Sequence, residues 1–275
     1  MTRIAYLGPA GTFTEEAARR FAVPGAEYLP VDSPAAALAK VRDATAELAA
    51  VAIENSVDGA VTSTSDALLA PGVQILAETE LDIAFAIMAR RGFTLDDARL
   101  FTTHPVAHQQ VKGWVSQHLP KVAFVPAASN GAAAQMVAEG KADVAAAPER
   151  AAELFGLEVH ATGVADLETA RTRFVLVGPE GDAPAPTGND RTSVVFQAPN
   201  EPGALVDILQ EFAYRGVNMT RIESRPTRQE RGTYNFVVDL AGHAFDPSAP
   251  AVGEALEAVR ERASWFRFLG SWPRA

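Results

Sequence analysis

Four stretches place small hydroxyl, amide and glycine residues where apolar strands give way to helices. They are Gly8-Pro9-Ala10-Gly11-Thr12, Asn55-Ser56, Thr102-Thr103-His104-Pro105 and Ser129-Asn130-Gly131. A helix that starts at such a point offers unpaired N–H groups and about half a positive charge. Ligands of open α/β sheets bind beyond the strands' carboxyl ends, so several such turns on one cleft can hold a carboxylate with few basic side chains. Any one of them could be an ordinary N-cap, so the signal lies in the set. Thr172-Arg173-Phe174 enters a further apolar strand. An Arg beside a hydroxyl there either grips a carboxylate bidentately or pairs with an acid. His104 and His108 lie four apart, like a metal pair on one helix face. No Glu follows His104 and no third ligand stands at a recognisable spacing, so no metal is expected. His104, just ahead of Pro105, reads as a hydrogen-bonding residue at the cleft. Gln110 is either a further amide near it or a solvated helix residue. The spacing of Gly8 and Gly11 fits neither a dinucleotide fingerprint nor a phosphate loop. No nucleophile elbow is present, and the chain has no cysteine to act as a nucleophile.

A second constellation lies near the C-terminus. Gly203-Ala204-Leu205 opens a predicted helix directly after a strand over 192–198. Glu223-Ser224-Arg225-Pro226, preceded by Asn218, closes the next strand. A helix N-terminus brought beside a strand end makes a small polar site for a ligand with both amino and carboxylate groups. This quarter of the chain reads as an amino-acid sensor, which leaves the chemistry upstream.

The elements that must position these residues follow from the apolar patterning. The Pro/Gly-rich run from Gly178 to Gly188 can form neither a helix nor a central strand, and reads as a linker over 181–190 between domains 1–180 and 191–275. Upstream, strands are predicted at 4–7, 48–53, 81–88, 122–126, 144–147 and 174–177. Ser33-Pro34 marks a capped helix start. The unbroken apolar run 48–53 suits a parallel sheet covered on both faces. This is an α/β domain large enough to form two lobes with a cleft. Downstream, the order is strand 192–198, helix 203–215, strands 217–225 and 233–240, helix 251–262 and a last strand over 265–269. That is the ferredoxin-like βαββαβ arrangement.

Composition bounds the alternatives. The 275 residues carry a formal net charge of −10 and are 48% hydrophobic. An acidic balance argues against nucleic acid, which needs a basic surface. No apolar run approaches the ~20 residues of a membrane span, no signal peptide is evident, and cytoplasmic residence is expected.

The ordered set of motifs resembles one family. Gly8-Pro9-Ala10-Gly11-Thr12-Phe13-Thr14, Ile53-Glu54-Asn55-Ser56, Thr103-His104-Pro105 with Gln110, and Thr172-Arg173-Phe174 look like the motifs of prephenate dehydratase. The downstream unit resembles the ACT domain of that family, with Gly203-Ala204-Leu205 and Glu223-Ser224-Arg225-Pro226 matching its phenylalanine-binding motifs. The resemblance implies a two-lobed catalytic domain like a type II periplasmic-binding protein. The implied reaction is that of a carbon–oxygen lyase: decarboxylating dehydration of prephenate to phenylpyruvate, water and carbon dioxide in phenylalanine biosynthesis. Aromatisation drives such a step without a cofactor. By position Thr172 matches the essential threonine. Asn55, Thr103 and Gln110 match residues of substrate binding or catalysis, and His104 or Glu54 could recharge a proton relay. Thr12, Ser56, Ser129, Asn130, Arg173 and Phe174 are expected at the substrate. Gly203, Ala204, Leu205, Asn218, Glu223, Ser224, Arg225 and Pro226 are expected at L-phenylalanine, a feedback inhibitor held between subunits of a homodimer or homotetramer. Three positions depart from the family pattern: Ala52 where many members have Pro, Thr103 where Ser is common, and Ala170 where Asn is common. Arogenate dehydratase, or a non-enzymatic two-lobed solute-binding protein fused to a sensor, would share most of these features.

Overall fold

The computed structural model describes residues 1–166, 170–228 and 232–275. The chain runs β1 (Arg3–Leu7), α1 (Phe13–Arg20), β2 (Glu27–Val31), α2 (Pro34–Arg42), β3 (Leu48–Asn55), β4 (Gly59–Ala60), α3 (Thr62–Leu68) and β5 (Val73–Asp82). There follow β6 (Ala86–Ala89), a 3-10 turn (Leu95–Asp97), β7 (Leu100–Thr103), α4 (Pro105–His118), β8 (Ala123–Pro126), α5 (Asn130–Ala138), β9 (Val144–Ala147), α6 (Glu149–Phe155), β10 (Glu158–Thr162) and β11 (Arg171–Pro179). The last stretch holds β12 (Asp190–Gln197), α7 (Ala204–Tyr214), β13 (Met219–Pro226), β14 (Tyr234–Ala241), α8 (Ala251–Arg262) and β15 (Trp265–Pro273). Two compact units result: Met1–Val61 with Glu80–Phe174, and Thr62–Thr79 with Val175–Ala275.

The first unit contains two sheets. One belongs to a six-stranded sheet of order β2-β1-β3-β11-β5, with β4 paired to β3. β1 is parallel to both β2 and β3. The other has the order β10-β6-β9-β7-β8, parallel where β7 meets β8 and β9 and antiparallel where β6 meets β9 and β10. Helices begin where the sequence supplies caps. The hydroxyls of Thr12, Ser33 and Ser129 each accept an N–H of the first turn of α1, α2 and α5. Proline at the start of α2 and α4 forgoes an N–H that had no helical partner.

Leu81–Met88 is not one strand, as the alternation suggests. β5 ends at Asp82 and β6 begins at Ala86, in different sheets. Leu81, Ile83, Phe85 and Ile87 are all buried in one core cluster with Phe101 and Phe174. The apolar alternation therefore survives while the hydrogen-bonding partners change, and alternation alone cannot reveal such a change.

In the second unit, the sheet order β13-β14-β12-β15 is antiparallel throughout. α7 and α8 contribute Ile208, Phe212, Val252, Leu256 and Val259 to a core shared with Val194, Phe196, Val238 and Leu240. This is the βαββαβ order expected downstream.

Candidate active site

β3 and β11 lie side by side, and strand alternation sorts their side chains. Asn55 and Thr172 meet on one face, where Asn55 Nδ2 donates to Thr172 Oγ1 at 2.9 Å. Asn55 is itself fixed, because its Oδ1 accepts the backbone N–H groups of Val57 (2.8 Å) and Asp58 (3.1 Å). Thr172 is buried. Its oxygen accepts from Asn55, and no acceptor among the described residues takes its proton. The hydroxyl is therefore set up as a donor. Ser56 clamps the end of this pair: its N–H donates to Arg171 O at 2.8 Å and its Oγ accepts from Arg171 N at 2.9 Å.

Neighbouring residues on the two strands point the other way. Glu54 accepts from Arg173 Nη2 at 2.9 Å, and Arg173 is 4% exposed. Of the two readings of Arg173, the structure selects the ion pair with an acid. It also turns the Glu54 carboxylate away from the face that carries Thr172, so Glu54 does not stand in line to recharge that hydroxyl. Phe174, expected at the substrate, is 1% exposed inside the core cluster and acts as packing.

Across the unit, α4 and α5 supply the facing groups. Gln110 is 5% exposed, not a solvated helix residue, and its Nε2 donates to Asp58 Oδ2 at 3.1 Å. His104 is the N-cap of α4, with Nδ1 accepting from Val106 N at 3.3 Å. Burial pushes its pKa below the ordinary 6.5, while the charge of Asp58 acts the other way. A neutral imidazole suits the cap, which needs a lone pair on Nδ1. Asn130 Oδ1 lies 3.3 Å from Thr103 Oγ1 and 3.4 Å from His104 N. Thr103 is fully buried and donates its proton to Ala146 O at 2.7 Å. It thus braces β7 and Asn130 instead of presenting a hydroxyl. His108 stacks on Phe124 at 3.9 Å between ring centroids, which removes it from any pairing with His104.

The glycine-containing loop reaches the same region. A Cβ at Gly131 would lie 2.9 Å from Ala10 O and 3.0 Å from Thr12 Cγ2, so the start of α5 and this loop touch only because residue 131 is glycine. Thr12 Oγ1 donates to Leu7 O at 3.0 Å and accepts from Glu15 N at 3.2 Å. Beneath it, Glu15 is 2% exposed and accepts from Gly11 N at 2.6 Å and from Arg19 Nη2 at 2.7 Å. Sequence reasoning singles out neither Asp58 nor Glu15. For Glu15 a signal exists, the capping spacing from Thr12 to Glu15. For Asp58 there is none beyond an acid in a turn after Asn55.

The residues expected at phenylalanine lie in the second unit. Gly203, at φ +87°, precedes α7. The strand register aligns Gln197 with Asn235 and Asn235 with Arg225, so the end of β12 that leads to Gly203 and the end of β13 lie at the same end of the sheet. Asn218 O accepts from Ala241 N at 2.9 Å. Glu223 accepts from Arg221 Nη2 at 2.6 Å and from Ser65 Oγ at 3.3 Å. Arg225 reaches Asp66 at 2.9 Å and Thr62 at 3.0 Å. Ser224 and Pro226 alternate with them and are exposed.

A family model for prephenate dehydratase matches residues 4–182, and one for the ACT domain matches residues 192–261. The chain is 56% identical to a prephenate dehydratase of Corynebacterium glutamicum, over 99% of this chain and 88% of that protein. The crystal structure of a prephenate dehydratase from Arthrobacter aurescens in complex with L-Phe superposes with a TM-score of 0.90 at 42% identity, covering 100% of this chain and 90% of that one. A structure described as a quorum-quenching acylase, GqqA, superposes at 0.87 with 34% identity, covering 99% and 98%. With both family models matched in order along nearly the whole length, the chain belongs to the prephenate dehydratase family and carries an ACT domain behind the catalytic one.

Proposed function

We propose that the protein converts prephenate to phenylpyruvate, water and carbon dioxide, with L-phenylalanine as feedback inhibitor. The bond from the ring to its carboxylate breaks, and that electron pair enters the ring as it becomes aromatic. The ring hydroxyl leaves on the opposite side and departs as water once a proton reaches it. The observation that carries this reading is the Thr172 hydroxyl, fixed as a donor by Asn55. A threonine hydroxyl is too weak an acid to give up its proton outright, so Thr172 stabilises the departing hydroxide or relays a proton to it. Asn55, Gln110, His104 and Asn130 surround the substrate, supported by Thr12, Ser56, Ser129 and Arg173, while Thr103 braces the wall. The acylase relative has the same fold at lower identity, and fold alone does not choose a chemistry.

The regulatory domain spans residues 191–275, and a linker over 181–190 joins it to the catalytic domain of residues 1–180. The edge strand β13, with Ile222 47% exposed, favours a homodimer or homotetramer in which phenylalanine sits beside Gly203–Leu205, Asn218 and Glu223–Pro226. Among the described residues no helix is long and apolar enough to cross a membrane, in keeping with a cytoplasmic enzyme.

The test is incubation with prephenate followed by the alkaline absorbance of phenylpyruvate. Wild-type protein is expected to give steady product, and Thr172→Val to lose about 10²–10³-fold in kcat, the usual cost of one transition-state donor. Normal turnover by Thr172→Val would remove the assigned role.

A further inference from the structure

We propose that Asp58 is a positioning residue of the active site, which aims the carbonyl oxygen of Gln110 at the ring hydroxyl of the substrate. The inference rests on the dehydratase reading above and goes beyond it by naming a group that acts through another. Asp58 lies in the turn after β3 and is exposed, whereas its partner Gln110 on α4 is 5% exposed. The turn is held at its other end by Asn55, whose Oδ1 accepts the Asp58 N–H. One short segment thus touches Thr172 through Asn55 and Gln110 through Asp58.

The orientation of the Gln110 amide follows from donor and acceptor chemistry. An ionised carboxylate can only accept, so the Gln110 NH2 must face Asp58 Oδ2, as it does at 3.1 Å. The carbonyl Oε1 then points away from Asp58. It is buried and meets no donor among the described residues. A buried acceptor left unfilled is costly, and a substrate hydroxyl is the donor that would fill it. Without Asp58 the amide could turn over and present N–H groups to that hydroxyl, which would favour the wrong partner. Asp58 also places its charge near His104, where it favours the imidazolium form and so opposes the effect of burial. The groups nearest this carboxylate are thus Gln110, His104 and the Asn55 turn.

The experiment compares Asp58→Ala, Asp58→Asn, Gln110→Ala and the double variant Asp58→Ala/Gln110→Ala in kcat and KM for prephenate. Asp58→Ala is expected to lose about tenfold or more in kcat/KM, mainly in kcat, as a charge-assisted hydrogen bond predicts. Asp58→Asn keeps an oxygen acceptor but loses the charge and can also donate, so it should recover only part of that loss. The double variant should be no worse than Gln110→Ala, because the effect passes through that amide. Equal losses in Asn and Ala variants, or losses that multiply in the double variant, would overturn the proposal. A second arm needs no turnover. In glutamine-labelled protein, the side-chain NH2 signals of Gln110, assigned by their absence in Gln110→Ala, should shift and exchange faster in Asp58→Ala, and to a smaller extent in Asp58→Asn. Unchanged signals in Asp58→Ala refute the positioning role even if prephenate proves not to be the substrate. Failure of the wild type to make phenylpyruvate refutes the dehydratase reading instead.

Discussion

Three neutral groups stand at the centre of the proposed chemistry, and the surroundings of each bear on its state. Asn55 donates to Thr172, Asp58 accepts from the amide of Gln110, and burial lowers the pKa of His104. The last has a pH consequence with a definite sign. The folded-state pKa of His104 lies below its ordinary 6.5, so the unfolded chain binds more protons in that interval. The contribution of the neutral cap is complete above about 6.5 and is lost as pH falls through the folded value. Urea unfolding of wild type and His104→Asn should therefore agree within about 0.5 kcal/mol at pH 7.5, since Asn is also a good cap. At pH 5 the wild type should fall behind the variant. A difference that does not change with pH would show that the imidazole does not titrate on folding.

At the scale of elements, the first helix turn is held by more than its cap. Thr12 and Glu15 stand at capping-box spacing, yet the Glu15 carboxylate reaches Gly11 N instead of the cap's own N–H. The same carboxylate binds Arg19 on α1, and Arg150 at the start of α6 lies 3.9 Å away. Its charge, after burial, helps push the Tyr6 phenol up to about 12. Glu15→Gln keeps the volume but cannot accept from Gly11 and Arg19 without aiming an NH2 at one of them. The expected cost is about 1–3 kcal/mol in urea unfolding, with the loop Gly8–Thr12 loosened and KM raised. A neutral substitution with unchanged KM would mean that the loop is held by Pro9 and Thr12 alone.

For the whole molecule, a net charge of −10 opposes a doubly negative substrate, so binding must come from local donors and not from the long-range field. Regulation adds a second demand, because an effector with equal affinity for two arrangements shifts nothing. Phenylalanine should inhibit sigmoidally. The double variant Glu223→Gln/Ser224→Ala should raise the half-inhibiting concentration by about tenfold or more and leave kcat within about twofold, read from inhibition curves. Retained phenylalanine binding by calorimetry with lost inhibition would move the sensor elsewhere. Some of any stability change in that variant would come from the Arg221 and Ser65 contacts of Glu223, so the same measurement includes a folded-state check by melting temperature.

Local patterning alone determined the capped helix starts at Ser33-Pro34 and Ser129, the strand 144–147, the helix 251–262 and the βαββαβ order after the linker, because caps, apolar period and turn residues act within a few positions of themselves. Motif order determined the family. Tertiary structure decided what local rules cannot carry: that the 81–88 alternation passes between two sheets, and that Arg173 meets Glu54. It likewise decided that Phe174 packs inside while Asp58 reaches Gln110. Each of these is a contact or a pairing between segments far apart in the chain, and the energy of such a contact is written in neither segment by itself.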